Sequence, residues 1–291
     1  MYLEVYQLAL AAAAALLGAM IFLPRRWLSR RLVTWGVAAL GLPTAAWLLV
    51  VFGSTMIGGS RQKLEVMDLR QADAGRPVVI FVFGWNGDDS TWGEFPRLLM
   101  SDPAFAGYGV SSLSYRSRHG IEGLGVAETA VDVAALVNAH FASRSIMIAA
   151  HSMGGVIMRY LIATNALSNT VKIERFISVG SPFNGAEVAP LMRELGMTPA
   201  TLKDLSPGSE FLSKLAQSWN EKKRDSWGGQ DVCIVGRRDT IARPDSASYG
   251  CSKTALLLDL GHIDIVKPTS VGHPGYIAVT RALLGMRRAG E

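Results

Sequence analysis

Ala149-Ala150-His151-Ser152-Met153-Gly154-Gly155 is the stretch on which the fold of this chain turns. It follows the apolar run Ile146-Met147-Ile148 and precedes a helical apolar pattern from Val156 to Leu161. A strand, one serine and then a helix form the setting of a nucleophile elbow, whose tight, strained turn lifts the serine hydroxyl above the end of a sheet. The residues two before and two after the serine are expected to pack against each other and to be small; here they are Ala150 and Gly154. The helix that follows directs its positive end at the serine and favours negative charge developing there.

The elements around the elbow alternate. Val78 to Phe83 is a continuous apolar run after Pro77, the pattern of a fully buried parallel strand. Val110 to Tyr115 reads as a second strand, and Val126 to Phe141 carries a helical stripe at 126, 130, 133, 134, 137 and 141. Phe176 to Val179 and Val232 to Val235 are two more strands, and a last helix runs from about Gly275 to Leu284. Arg61 to Arg70 is mixed and fits no template. Strands alternating with helices predict an α/β domain with a mainly parallel sheet, in which ligands bind beyond the carboxyl ends of the strands.

A serine nucleophile needs a base. Of five histidines, His140 falls on the predicted helix, and His151 adjoins the serine on a turn where neighbours point apart. His119 precedes the serine and is placed to rim a site. His262, in Leu258-Asp259-Leu260-Gly261-His262-Ile263-Asp264, comes late and in a loop, as the chain order serine, acid, histidine requires; His273 is the fallback. For the acid, Asp239 follows strand Val232–Val235 in a turn that starts with Gly236, and Asp245 is the runner-up. Asp259 and Asp264 lie too near His262 in sequence to be preferred. Acyl transfer also needs donors for the oxyanion. The backbone N–H of Met153 is one, and the loop Phe83-Gly84-Trp85-Asn86-Gly87-Asp88 supplies the other at Trp85. That glycine-containing loop matches neither phosphate-cradling pattern, G-x-x-x-x-G-K-[ST] or G-x-G-x-x-G.

The amino-terminal part has a different character. Residues 5–23 and 32–52 are two nearly unbroken apolar runs, each long enough to cross a bilayer core of about 30 Å. Between them lie Arg25, Arg26, Arg30 and Arg31 and no acid, which marks a cytoplasmic loop by the positive-inside rule. Glu4 and the lack of Lys or Arg before the first run argue against a cleaved signal peptide. The expected organisation is a transmembrane hairpin and tether over 1–59 and a catalytic domain over 60–291, on the non-cytoplasmic (periplasmic) face of the inner membrane. Of the net charge of +5, three units belong to residues 1–59, so the basic balance reports topology. No basic stripe with interleaved aromatics points to nucleic acid. The 291-residue chain has two cysteines, Cys233 and Cys251, at a spacing that matches no zinc or redox motif. They read equally as two reduced thiols or, in an oxidising compartment, as one disulfide.

Taken together, these motifs resemble the lipase/esterase branch of the α/β-hydrolases, in particular triacylglycerol-lipase-like and GPI-inositol-deacylase-like members. The resemblance spans about Val78 to Leu284. It rests on F-G-W-N-G-D at 83–88, A-H-S-M-G-G at 150–155, V-G-S-P-F-N-G-A at 179–186, L-S-P-G-S-E-F-L at 205–212, V-G-R-R-D at 235–239 and G-H-I-D-I-V-K-P at 261–268. It implies an α/β-hydrolase fold, Ser152 as nucleophile, Asp239 as acid, His262 as base, and Trp85 and Met153 as oxyanion donors. It implies no metal and no organic cofactor. The sequence departs from the family's usual pattern at Phe83, Ala150 and Phe183, where His, Gly and His are common. In this family an insert corresponding to about 187–230 often forms a cap or lid, and Leu212, Leu215, Trp219 and Trp227 are its apolar residues here; helix packing on the core is the other reading of them.

The expected function is therefore a membrane-anchored serine hydrolase that cleaves carboxylic esters, lipid or lipid-linked, through an acyl-enzyme. The tether from Phe52 to Val78 reaches at most roughly 90 Å, which keeps the site near the bilayer. An acyltransferase would use the same residues. A membrane scaffold on an inactive hydrolase fold is the alternative from another class.

Overall fold

The computed structural model describes residues 63–117, 124–187, 200–224, 230–252 and 255–285. The chain divides into two units, residues 1–58 and 59–291, and only the second contains described residues. The predicted spans 5–23 and 32–52 lie outside them, as does His119. Among the described residues no helix is long and apolar enough to cross a membrane.

Seven strands form one sheet: β1 (Glu65–Arg70), β2 (Val78–Val82), β3 (Gly109–Ser114), β4 (Ser145–His151), β5 (Lys172–Val179), β6 (Gln230–Gly236) and β7 (Ala255–Leu258), in the order β1-β3-β2-β4-β5-β6-β7. β1 runs antiparallel to β3, and every other pairing is parallel. The strands are joined by α1 (Phe95–Ser101), α2 (Val126–His140), α3 (Met153–Ala163), α4 (Ala200–Asp204), α5 (Glu210–Arg224) and α6 (Pro244–Ala247), and α7 (Pro274–Leu284) follows β7.

The apolar runs become central strands because both sheet faces are covered. On β2 and β4, Val78, Ile80, Val82, Ile146, Ile148 and Ala150 face one core with α2, α3 and α5. The alternate residues Val79, Phe81, Met147 and Ala149 face a second core with Phe95 and Leu99 of α1 and Tyr276, Val279 and Leu283 of α7. A strand buried on both faces has no polar side to reveal its period.

The segment 61–70, unassigned by pattern, forms the edge strand β1 from Glu65 onward. Its burial is weak, and polar groups hold it instead. Ser111 Oγ donates to Asp68 (2.6 Å), and the Arg70 guanidinium donates to the carbonyls of Tyr108, Met100 and Phe105. Such contacts leave no hydrophobic alternation to read. In the stretch expected to contain a cap, Leu212, Leu215 and Trp219 of α5 are buried against the core that α3 joins, with Trp219 set edge-on to Phe176. They are core residues. Trp227 and residues 188–199 lie outside the described residues.

The elbow is tight where it meets the neighbouring strand. A Cβ on Gly154 would lie 2.2 Å from the Phe83 carbonyl oxygen and 3.1 Å from Val82 Cγ1. The nearest atoms belong to the end of β2 and to Phe83 just after it, against which α3 starts. Gly154→Ala should therefore destabilise the domain by about 1–3 kcal/mol through overpacking. Gly272→Ala, where the added carbon would meet nothing nearer than 3.7 Å, should change stability little. Urea denaturation of both variants checks this.

Candidate active site

Ser152 caps the amino end of α3 with φ 54° and ψ −128°, a conformation that L-residues avoid. Strand register keeps it there: its N–H donates to the Val179 carbonyl (2.9 Å), continuing the β4–β5 ladder one residue into the turn.

The structure brings Ser152, His262 and Asp239 together. His262 Nε2 lies 3.1 Å from Ser152 Oγ, and His262 Nδ1 lies 2.7 Å from Asp239 Oδ2. Asp239 is buried, and its other oxygen accepts the N–H groups of Ile241 (2.9 Å) and Ala242 (2.8 Å). A carboxylate so occupied is an acceptor, so His262 carries its proton on Nδ1. Nε2 then offers a lone pair to the serine O–H. Gly180 (φ 55°) makes room for this pair: a Cβ there would come within 3.0 Å of Asp239 Oδ2 and 3.4 Å of His262 Nδ1. That glycine is the first of the G-S-P-F motif, which explains why the motif accompanies the three reacting groups.

The alternatives are placed elsewhere. His273 Nδ1 accepts the N–H of Gly275 and caps α7. His140 Nε2 meets Asp68 at 3.1 Å, at the β1 edge. Asp245 is exposed near Arg243, and Asp259 is exposed near Arg238.

The loop after β2 reaches the elbow closely. A Cβ on Gly84 would be 2.7 Å from Ser152 Cβ and 3.2 Å from Met153 N, so only glycine allows this approach. Phe83, which stands where histidine is common, has a structural place. Its ring stacks on Tyr115 at 4.8 Å, and its carbonyl accepts the Tyr115 hydroxyl (2.6 Å). The indole Nε1 of Trp85 is buried without a partner among the described residues.

Two residues near the site have places that sequence reasoning did not give them. Arg159 sits in the middle of α3, 2% exposed. Its guanidinium donates to the Tyr249 carbonyl (2.7 Å), approaches Cys233 and Cys251 Sγ at 3.7 Å each, and lies over the Phe183 ring. Burial lowers its pKa to about 9 against the opposing pull of Asp231. An arginine inside an apolar helix is normally a solvated residue, and nothing in the local pattern separates the two cases. Phe183, the third departure from the family pattern, is the ring on which it rests. The second residue is His151. It is buried, its Nε2 lies 3.0 Å from the His262 carbonyl, and its Nδ1 has no partner among the described residues. Burial, then the nearby His262, hold its pKa well below 6.5.

A disulfide joins Cys233 of β6 to Cys251, closing the segment that carries Asp239. Among the described residues no three His, Cys, Asp or Glu side chains converge as metal ligands.

Residues 77–201 match the family model "Putative serine esterase (DUF676)", a span that holds β2, the elbow and β5. No curated protein matches the sequence. Several solved structures share the fold. The mature lipase BlEst2 of Bacillus licheniformis superposes with a TM-score of 0.53 at 18% identity, over 74% of this chain and 96% of that one. Phospholipase PlaB of Legionella pneumophila gives 0.55 at 18% identity, over 72% of this chain and 60% of that one. A monoacylglycerol lipase of Paleococcus ferrophilus gives 0.52 at 15% identity, over 77% and 99%. At such identities the likeness is one of fold.

Two outcomes follow from the geometry around the acid and the serine. Cys251→Ser should lower stability by roughly 3 kcal/mol, the chain-entropy value for a loop of this size, and thermal denaturation with and without reductant measures it. His151 binds a proton more weakly folded than unfolded. Stability should therefore fall as pH drops below about 6.5, with this group adding up to about 1.4 kcal/mol per pH unit. His151→Gln should remove that contribution from urea titrations between pH 7 and 5.

Proposed function

We propose that this chain, a carboxylic ester hydrolase of the α/β-hydrolase lipase and esterase type, works through Ser152, His262 and Asp239. The observation that carries this reading is the continuous relay of 2.7 Å and 3.1 Å contacts from Asp239 through His262 to a strained serine. Ser152 Oγ attacks the ester carbonyl carbon while His262 Nε2 takes its proton. The carbonyl oxygen becomes an oxyanion, received by the N–H groups of Met153 and Trp85. Collapse breaks the acyl–oxygen bond, and the alcohol leaves with the proton from His262. Water, deprotonated by the same nitrogen, then attacks the acyl-enzyme, and the acid departs as Ser152 regains its proton. Asp239 holds the ring in the tautomer these transfers need and stabilises the imidazolium between them.

The substrate proposed is a lipid or lipid-linked ester. Two apolar segments, 5–23 and 32–52, precede the domain, and four arginines between them set its side of the membrane. A hydrolase anchored in this way, on the periplasmic face, meets its bilayer at the length of its tether. Proteins named lipase or phospholipase among the structural neighbours agree with that substrate class.

The full chain in detergent should react with a fluorophosphonate probe, and Ser152→Ala should abolish labelling. Asp239→Asn should retain the fold and lose roughly 10³–10⁴-fold in kcat on a short activated ester. A folded wild-type chain that neither labels nor hydrolyses any ester would overturn the proposal. In sealed inverted vesicles the domain should resist added protease; digestion there would reverse the orientation.

A further inference from the structure

The reading of Ser152 and His262 as nucleophile and base leaves the base's own support unexplained. His262 projects from the loop between β7 and α7, where the first regular structure is a single 3-10 turn at Asp264–Val266. Neighbouring backbone groups are engaged: Leu260 O accepts from Arg238 N, and Gly261 O accepts from Ile265 N. The carbonyl of His262 itself faces one donor, Nε2 of His151 at 3.0 Å.

We infer that His151 is a positioning residue for the base, its neutral imidazole donating Nε2–H to the His262 carbonyl and so fixing the main chain from which that ring projects. The inference rests on the hydrolase reading above. His151 is well suited to the task. It ends β4, so the strand that sets Ser152 also sets His151, one residue away and on the opposite sheet face from Ala150. It is 3% exposed, with Trp92 edge-on at 6.4 Å and the His262 ring at 4.7 Å. The pair of residues 151 and 152 thus holds His262 at two points: the hydroxyl meets its side chain, and the imidazole meets its backbone.

The tautomer follows from the partner. A carbonyl accepts, so Nε2 carries the proton and Nδ1 keeps a bare lone pair. Among the described residues that lone pair has no partner, and a second proton placed there would find no acceptor among them. The charged groups that bear on His151 are His262 and Lys267, both cationic or able to become so. Burial and this surrounding keep His151 uncharged. Neutrality matters to the reaction, because the base becomes an imidazolium at a ring separation of 4.7 Å. A charged neighbour would oppose that step, whereas a neutral donor holds the loop without opposing it.

The test compares His151→Leu, which removes the donor, with His151→Gln, whose amide nitrogen reaches about as far as Nε2. The full chain in detergent is assayed on an activated ester and with a fluorophosphonate. The Leu variant should lose roughly 10–100-fold in kcat, the scale of a small misplacement of a catalytic group, with KM within about twofold of wild type. The labelling rate should fall in parallel, and the Gln variant should recover most of both. Equal activity in all three chains, or equal loss in both variants, would overturn the inference. An inert wild-type chain would instead strike at the hydrolase reading. Should the Leu variant not fold, ¹⁵N NMR of wild-type histidines decides. His151 is expected to show protonated Nε2 and bare Nδ1 from pH 8 to pH 5, and a protonated Nδ1 in that range would contradict the assignment.

Discussion

At Ser152 the chain passes from a buried parallel strand into a helix within one residue, at φ 54°. Relaxation of that residue would move the hydroxyl away from His262 and pull α3 off the sheet. The structure prevents it on three sides. The β4–β5 ladder holds the Ser152 N–H to Val179, the Phe83 carbonyl leaves no room for a Cβ at 154, and Ser152 Cβ leaves none for a Cβ at 84. Backbone strain of order 1–3 kcal/mol persists only where surrounding structure over-determines it. Here two cores, one on each face of the sheet, supply that structure.

The same economy of space governs the rest of the site. Gly180 exists to clear the Asp239–His262 bond, and Gly155 clears Ser181, whose hydroxyl oxygen would lie 2.0 Å from an added Cβ. The acid is held by three interactions of its own and by the Cys233–Cys251 bond that closes its segment. Arg159, on the helix that begins after Ser152, reaches both sulfurs and the Tyr249 carbonyl. Helix α3 is thereby linked to the chain that carries the acid, so two of the three groups share one support.

Much of this was legible in the sequence, because the elements that build the site are strongly patterned. The runs at 78–83 and 146–150 have no polar interruption, and glycine stands at 154, 155 and 180, where an added Cβ would meet the Phe83 carbonyl, the Ser181 side chain and the Asp239–His262 pair. The order of Ser152, Asp239 and His262 narrowed five histidines to one candidate ahead of its fallback, and the structure places that one against the serine. What stayed hidden depends on long-range polar contacts. β1 is held by Asp68 and Arg70, not by apolar alternation. The buried state of Arg159 and the turn of His151 towards a carbonyl 111 residues away leave no trace in local pattern. The demand for a small residue at 154 was legible, but the closeness of the Phe83 carbonyl was not, since that atom lies beyond another strand.

The account stands on an alcohol made reactive where three distant segments meet. The most direct measurement is the mass of the intact chain, quenched in acid within seconds of mixing with an activated ester. One added acyl group, located by fragmentation on Ser152 and absent from the His262→Ala chain, is the result predicted. An acyl group on another residue, or equal acylation with His262 removed, would contradict the assignment.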